Sequence, residues 1–136
     1  MLKDTEKQLI KAAIEARKSA YCPYSDYSVG AAVLTASGNI YTGCNIENAS
    51  LSLTCCAERT AIFKAISCGE TKILAVCVAA KSAKPCGACR QVMAEFMGKN
   101  AAVIMVNLKN NRPSGIIRKK ISGLLPTAFN PSEAGL

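Results

Sequence analysis

The segment Thr54-Cys55-Cys56-Ala57-Glu58-Arg59 is answered further along the chain by Pro85-Cys86-Gly87-Ala88-Cys89-Arg90. Cysteine thiolates are favoured zinc ligands, and three protein ligands leave the fourth tetrahedral position open. An open position separates a catalytic zinc site from a closed structural one. The chain contains no His. A ligand-x-Glu unit joined to Pro-Cys-x-x-Cys therefore leaves Cys56 as the first ligand, and the expected metal site is the all-thiolate set Cys56, Cys86 and Cys89.

That arrangement suits hydrolysis. Zinc lowers the pKa of a coordinated water, so hydroxide becomes available near neutral pH. The pairing of ligand-x-Glu with Pro-Cys-x-x-Cys is the pattern of zinc-dependent nucleobase deaminases, in which hydroxide attacks a ring carbon such as C4 of cytosine. A carboxylate must then carry the proton to the ring nitrogen and on to the leaving amine. Glu58 is the candidate. It stands two residues beyond a ligand at an expected helix start, and residues two apart on a helix point to different sides.

Three thiolates around zinc leave a formal charge of minus one, which blunts water activation. Two features oppose this. Cys56, Cys86 and Cys89 fall at expected helix N-termini, where partial positive charge favours anions. Arg59 is placed to donate a charge-assisted hydrogen bond to a thiolate; the plainer reading is a solvated helix arginine.

With 136 residues and 50% apolar content, the sequence suffices for one domain with a real core, spanning 1–136. No apolar run reaches membrane-spanning length, and Met1-Leu2-Lys3-Asp4-Thr5-Glu6 does not read as a signal peptide. The 8 cysteines are read as reduced, in a cytoplasmic protein. Cys22, Cys44, Cys55, Cys68 and Cys77 are expected to be core or boundary residues. The charge of +8 raises nucleic acid as a partner, but the basic residues are dispersed. The densest cluster, Arg118-Lys119-Lys120, lacks the interleaved aromatics of a base-stacking surface.

Hydrophobic periodicity predicts a helix over residues 3–20, capped by Asp4 or Thr5. A strand over 27–35, a turn at Ser37-Gly38-Asn39 and a return strand over 40–44 form a hairpin. A helix from Cys56 to Cys68 ends before Gly69, and residues 73–80 read as a strand covered on both faces. A second metal-side helix runs from Cys86 to Met97 and stops at Gly98, followed by a buried strand over 101–107. Residues 116–125 are ambiguous, with Leu124-Leu125-Pro126 closing a short helix. The expected fold is a three-layer α/β/α arrangement with a mixed central sheet of about five strands. Right-handed crossovers bring the starts of the two metal-side helices to one end of the sheet.

With these segments in place, the chain resembles the short, homotetrameric cytidine deaminases over nearly its whole length. Besides the two cysteine motifs, the likeness rests on Tyr24-Ser25-Asp26-Tyr27-Ser28-Val29-Gly30-Ala31, Gly43-Cys44-Asn45-Ile46-Glu47-Asn48-Ala49 and Leu124-Leu125-Pro126-Thr127-Ala128-Phe129. The resemblance implies a cytidine deaminase-like fold and zinc on Cys56, Cys86 and Cys89, one ion per subunit. It also implies proton transfer by Glu58 and deamination of cytidine and 2′-deoxycytidine in pyrimidine salvage. Asn45 and Glu47 match positions that hydrogen-bond the sugar hydroxyl, and Tyr27 matches an aromatic, often Phe, against the pyrimidine. The Ala57 N–H matches a contact to the ring carbonyl, and Phe129 an aromatic that reaches a neighbouring subunit's active site. Leu51 departs from the family, where Tyr is common.

Plainer readings stand beside these. Asn45 and Glu47 would serve equally to stabilise the turn after the hairpin, Tyr27 as a core or edge aromatic, and Phe129 as a pin for the C-terminal segment. A nucleic-acid-editing deaminase would share the zinc core but add basic and aromatic surface. A deaminase of a nucleoside antibiotic, resembling blasticidin-S deaminase, need not keep Asn45-Ile46-Glu47-Asn48. A dithiol redox domain would use only Cys86 and Cys89, and a closed structural zinc module would recruit Cys55.

Overall fold

The computed structural model describes residues 1–136. Helix α1 (Lys3–Ala16) precedes the hairpin β1 (Gly30–Thr35) and β2 (Ile40–Cys44), and helix α2 (Ala57–Ser67) leads to β3 (Ile73–Ala80). Helix α3 (Gly87–Phe96), β4 (Met97–Lys109), β5 (Arg112–Lys120) and the one-turn α4 (Ile121–Leu124) complete the chain order. The strands form one sheet in the order β2-β1-β3-β4-β5. Only β3 and β4 are parallel, and the other neighbours are antiparallel. The sheet is therefore mixed and five-stranded, as expected.

Period-2 alternation divides the core between the two faces of the sheet. Leu9 and Ala13 of α1 pack with Ala32, Ala75, Cys77, Ile104 and Val106 on one face. The other face sets Ala31, Val33, Val76, Val78, Val103 and Met105 against Ala57, Ala61 and Ile62 of α2 and Cys89 and Met93 of α3. Two glycines permit the close approach of helix to sheet. A Cβ on Gly43 would meet the Ala61 nitrogen at 2.5 Å and the Ala57 oxygen at 2.8 Å, so glycine is what lets α2 lie directly on β2. On the opposite face, a Cβ on Gly30 would lie 2.0 Å from the Ala13 oxygen of α1. Gly43 matters most for the site, because α2 carries Glu58 and begins at Cys56.

The departures from expectation have local causes. Helix α1 ends at Ala16 in a 3₁₀ turn, Arg17–Ser19, and its N-cap is Leu2 without a capping side chain, so neither Asp4 nor Thr5 caps it. Strand β1 begins at Gly30. Ahead of it, the Asn45 side chain takes the backbone hydrogen bonds of Tyr27 and Val29 that a ladder partner would otherwise use. Strand β3 is buried on both faces except at Leu74, which sits where the pairing with β4 shifts register. Gly98 does not stop α3 as a cap; it lies within β4, which runs on directly from the helix.

The ambiguous stretch resolves as edge strand β5 followed by α4. Every β5 residue is exposed, so no burial pattern betrays it. Pro113 is tolerated because the strand is an edge. Asn110 and Asn111, with φ of 52° and 60°, make the two-residue turn from β4. Type I′ hairpin turns need positive φ at both central positions, which Asn accepts readily. Arg118 in the basic cluster is held by Glu6 of α1. All eight cysteines are free thiols, but only Cys77 and Cys89 are buried, and Cys68 is exposed just past α2.

Candidate active site

Cys56 is the N-cap of α2 and Cys86 the N-cap of α3, with Cys89 in the first turn of α3. The crossover from β3 through α3 brings these two helix starts together at one end of the sheet. The three sulfurs all lie within 4.8 Å of one another. Cys56 Sγ is 3.9 Å from Cys86 Sγ, and Cys86 Sγ is 3.6 Å from Cys89 Sγ. Zinc–sulfur bonds of 2.3 Å in tetrahedral array require sulfur separations of about 3.8 Å. The donor set and its spacing fit zinc.

Cys55 points elsewhere. Its sulfur accepts a hydrogen bond from Thr60 Oγ1 at 3.4 Å and takes no part in the cluster, which leaves three candidate ligands rather than four.

Electrostatics around the cluster follow from its neighbours. Arg59 donates from its guanidinium to Cys56 Sγ at 3.3 Å, and its Nε is buried without a partner. The Cys56 thiol is drawn down to about 5, first by the hydrogen bond from Cys89 and then by Arg59. The same sharing pushes Cys89 upward, because a second negative sulfur so close to the first is costly. Full ionisation of the three sulfurs calls for a cation, which is the chemistry of a metal site. Glu58 is 4% exposed, and burial, the largest cause, raises its pKa above the usual carboxylate value.

A cavity of about 420 Å³ opens over the cluster, within the range of small-molecule pockets. Cys56, Cys86, Glu58 and Ala57 line one side and Tyr27, Asn45 and Glu47 another. Ala57 is the first residue of α2, so its N–H has no intrahelical acceptor. Phe129 is 64% exposed and lies outside this pocket. Leu51 is 68% exposed in a short 3₁₀ turn.

The opposing wall is tied together by hydrogen bonds. Asn45 donates from Nδ2 to the Tyr27 carbonyl at 2.7 Å and accepts from the Val29 N–H at 2.9 Å. Glu47 accepts from the backbone N–H groups of Tyr24 and Ser25 at 3.0 and 3.2 Å, and from the Ser25 hydroxyl. The Ser25 bond is the main cause holding the Glu47 carboxyl below its usual range. Both residues thus stabilise the loop and still border the pocket. Tyr27 Oη donates to the Ser82 carbonyl at 2.9 Å and accepts from the Ser82 N–H at 2.8 Å, pinning the ring across to the loop before Cys86. Phenylalanine could not form that tie.

Residues 3–106 match the family model described as the cytidine and deoxycytidylate deaminase zinc-binding region. The chain belongs to this family. Among its relatives, a cytidine deaminase of Sporosarcina psychrophila is 47% identical over 96% of this chain and 94% of its own length. One from Halalkalibacterium halodurans is 48% identical over 93% and 96%, respectively. The crystal structure of a cytidine deaminase from Burkholderia pseudomallei superposes with a TM-score of 0.85 at 40% identity, covering 95% of this chain and all of that one (100%). The zinc-binding character of the deaminase family agrees with the three-cysteine cluster found here.

Ser25, Ser82 and Lys84 also line the pocket, and sequence reasoning assigned them no role. Ser25 lies in the motif Tyr24-Ser25-Asp26-Tyr27, so the sequence does carry a signal for it. Ser82 and Lys84 had none, because only the fold sets their loop opposite Tyr27.

Proposed function

We propose that this chain catalyses the hydrolytic deamination of cytidine and 2′-deoxycytidine, releasing ammonia and leaving uridine or 2′-deoxyuridine. The observation that carries this reading is a three-thiolate cluster beside a buried carboxylate on the wall of a nucleoside-sized pocket. The names of the relatives agree with it. Residues 1–136 act as one catalytic domain, with one zinc per chain on Cys56, Cys86 and Cys89.

When bound, zinc supplies the Lewis acidity that makes water a nucleophile near neutral pH. Glu58 takes a proton from the attacking water as its oxygen bonds to C4, and delivers that proton to the ring nitrogen. As the C4–N4 bond breaks, Glu58 takes the proton of the hydroxyl newly added at C4, which becomes the carbonyl, and passes it to the departing amine. Its buried position suits this duty, since a raised carboxyl pKa allows it to hold a proton and surrender it. Arg59 withdraws electron density from Cys56, offsetting the surplus negative charge of three thiolates. The Ala57 N–H contacts the ring carbonyl, Tyr27 packs against the pyrimidine, and Asn45 and Glu47 contact the sugar.

An ultraviolet assay of the purified protein with cytidine, 2′-deoxycytidine, CMP and free cytosine tests the assignment. Cytidine and deoxycytidine should be turned over efficiently. CMP should be poor, because the ionised Glu47 carboxylate on the pocket wall, proposed to contact the sugar, would repel a phosphate carried on that sugar. Cytosine should also be poor, since it lacks the sugar that Asn45 and Glu47 would hold. Efficient turnover of CMP, or of cytosine in single-stranded DNA, defeats the nucleoside assignment. A nucleic-acid substrate is disfavoured by the fold as well: Arg118 of the basic cluster is occupied by Glu6 on the α1 face, opposite the layer that carries the cysteines.

The active form is a homotetramer with shared sites, located in the cytoplasm. No helix is long and apolar enough to cross a membrane. Ile46, Leu53 and Phe63 are exposed and line a second hollow that shares Glu47 with the site, a surface suited to burial between copies. Phe129, exposed in its own chain, is free to cover a neighbour's pocket. Phe129→Ala should raise KM severalfold with zinc content unchanged, an aromatic contact being worth on the order of 1 kcal/mol. Reassembling that variant with an inactive Glu58→Gln chain should restore some sites. A fully active monomer, or no recovery in verified mixed tetramers, excludes the shared site.

A further inference from the structure

We infer that Ser25 is a positioning residue that orients Glu47 toward the sugar and so sets discrimination for a sugar hydroxyl. This rests on the proposed contact between Glu47 and the substrate sugar. The argument begins with hydrogen-bond capacity. An ionised carboxylate has about four acceptor positions. The Oε1 atom of Glu47 is occupied by the N–H groups of Tyr24 and Ser25, and Oε2 by the Ser25 hydroxyl. One position remains, on a residue that lines the pocket, which matches a single hydroxyl donor from a ligand.

The direction of the Ser25 hydroxyl is fixed by its other partner. Ser25 Oγ accepts the Tyr27 N–H at 3.1 Å, so its own hydrogen is left for Glu47. Asp26, between them, has φ of 53°. That left-handed turn, which Asp tolerates better than most residues, folds the backbone so that residues 25 and 27 meet. Ser25 thus couples the carboxylate facing the sugar to the backbone of the aromatic residue facing the base. Without Oγ, Glu47 keeps only its two backbone donors and is free to rotate its remaining acceptor away from the ligand.

The test is steady-state kinetics with cytidine and with 2′,3′-dideoxycytidine, which lacks both ring hydroxyls, on the zinc-loaded protein. Ser25→Ala should raise KM for cytidine roughly tenfold, the size of one charge-assisted hydrogen bond. Its kcat should hold within about twofold, and KM for the dideoxy compound should scarcely move. Ser25→Thr, which keeps the hydroxyl, should restore the wild-type preference. In a Glu47→Ala background, Ser25→Ala should add little, because residues acting through one another are not additive.

Equal losses for both nucleosides, or a full Ser25→Ala effect without Glu47, would show a merely structural role and overturn the inference. If Glu47→Ala abolishes the preference for cytidine while Ser25→Ala leaves it intact, the sugar contact stands and only the role of Ser25 falls. If Glu47→Ala leaves the preference untouched, both fall. Should Ser25→Ala fail to fold, Ser25→Cys carries the same comparison with a weaker donor.

Discussion

Glu58→Gln should reduce turnover by roughly 100- to 10,000-fold, the usual worth of a positioned acid–base group, while zinc content and fold are retained. The amide preserves the volume of the side chain, so the packing around a residue only 4% exposed is undisturbed. What it loses is the ability to accept a proton and release it. Glu58 sits in the first turn of α2, two residues after Cys56, and burial is the main reason its carboxyl resists ionisation. A solvated carboxylate would be a weaker candidate, because it would spend little time protonated near neutral pH. The measurement is kcat alongside zinc stoichiometry and circular dichroism. Near-normal turnover in a zinc-loaded, folded variant rules out proton transfer by this residue.

Cys89→Ser should abolish stable zinc binding and, with it, activity. A serine hydroxyl is a harder and poorer zinc ligand than a thiolate, and two remaining sulfurs do not hold the ion well. Cys89 is fully buried and 3.6 Å from Cys86, so water has little room to replace the lost sulfur. Thermal stability should fall too, since a ligand present at a thousand times its Kd contributes about 4 kcal/mol to the folded state. Cys55→Ser is the matched control. Cys55 lies outside the sulfur cluster and bonds to Thr60, so its replacement should leave zinc in place. Full zinc occupancy in Cys89→Ser, together with loss in Cys55→Ser, would reverse the ligand assignment.

The clustering of Cys56, Cys86 and Cys89 was legible because zinc chemistry restricts residue types so tightly. In a chain with no His, Cys-x-Glu and Pro-Cys-x-x-Cys leave few alternatives, and apolar periodicity located the helices whose starts carry them. Most elements were equally plain where burial imposes a pattern, as in β3 and β4. Strand β5 was not, because an exposed edge satisfies its backbone without any constraint on its side chains. The roles of Asn45 and Tyr27 were legible only in part. Each was placed near a ligand by resemblance, but neither the Asn45 bonds to residues 27 and 29 nor the Tyr27 tie to Ser82 was visible.

By itself, then, the sequence determined the layered fold and singled out the residues proposed as metal ligands and proton carrier, since each follows from residue chemistry or from local periodicity. Tertiary structure alone decided that Cys55 turns away from the sulfurs, that Glu47 has one acceptor left, and that Ser25 and Ser82 border the pocket. The contacts of Ser25 with Glu47 and of Ser82 with Tyr27 join residues 22 and 55 apart in the chain. Such contacts leave no periodic trace, because a polar loop residue is compatible with many neighbours. Its actual partner is set by where the packed helices and strands bring the loops together.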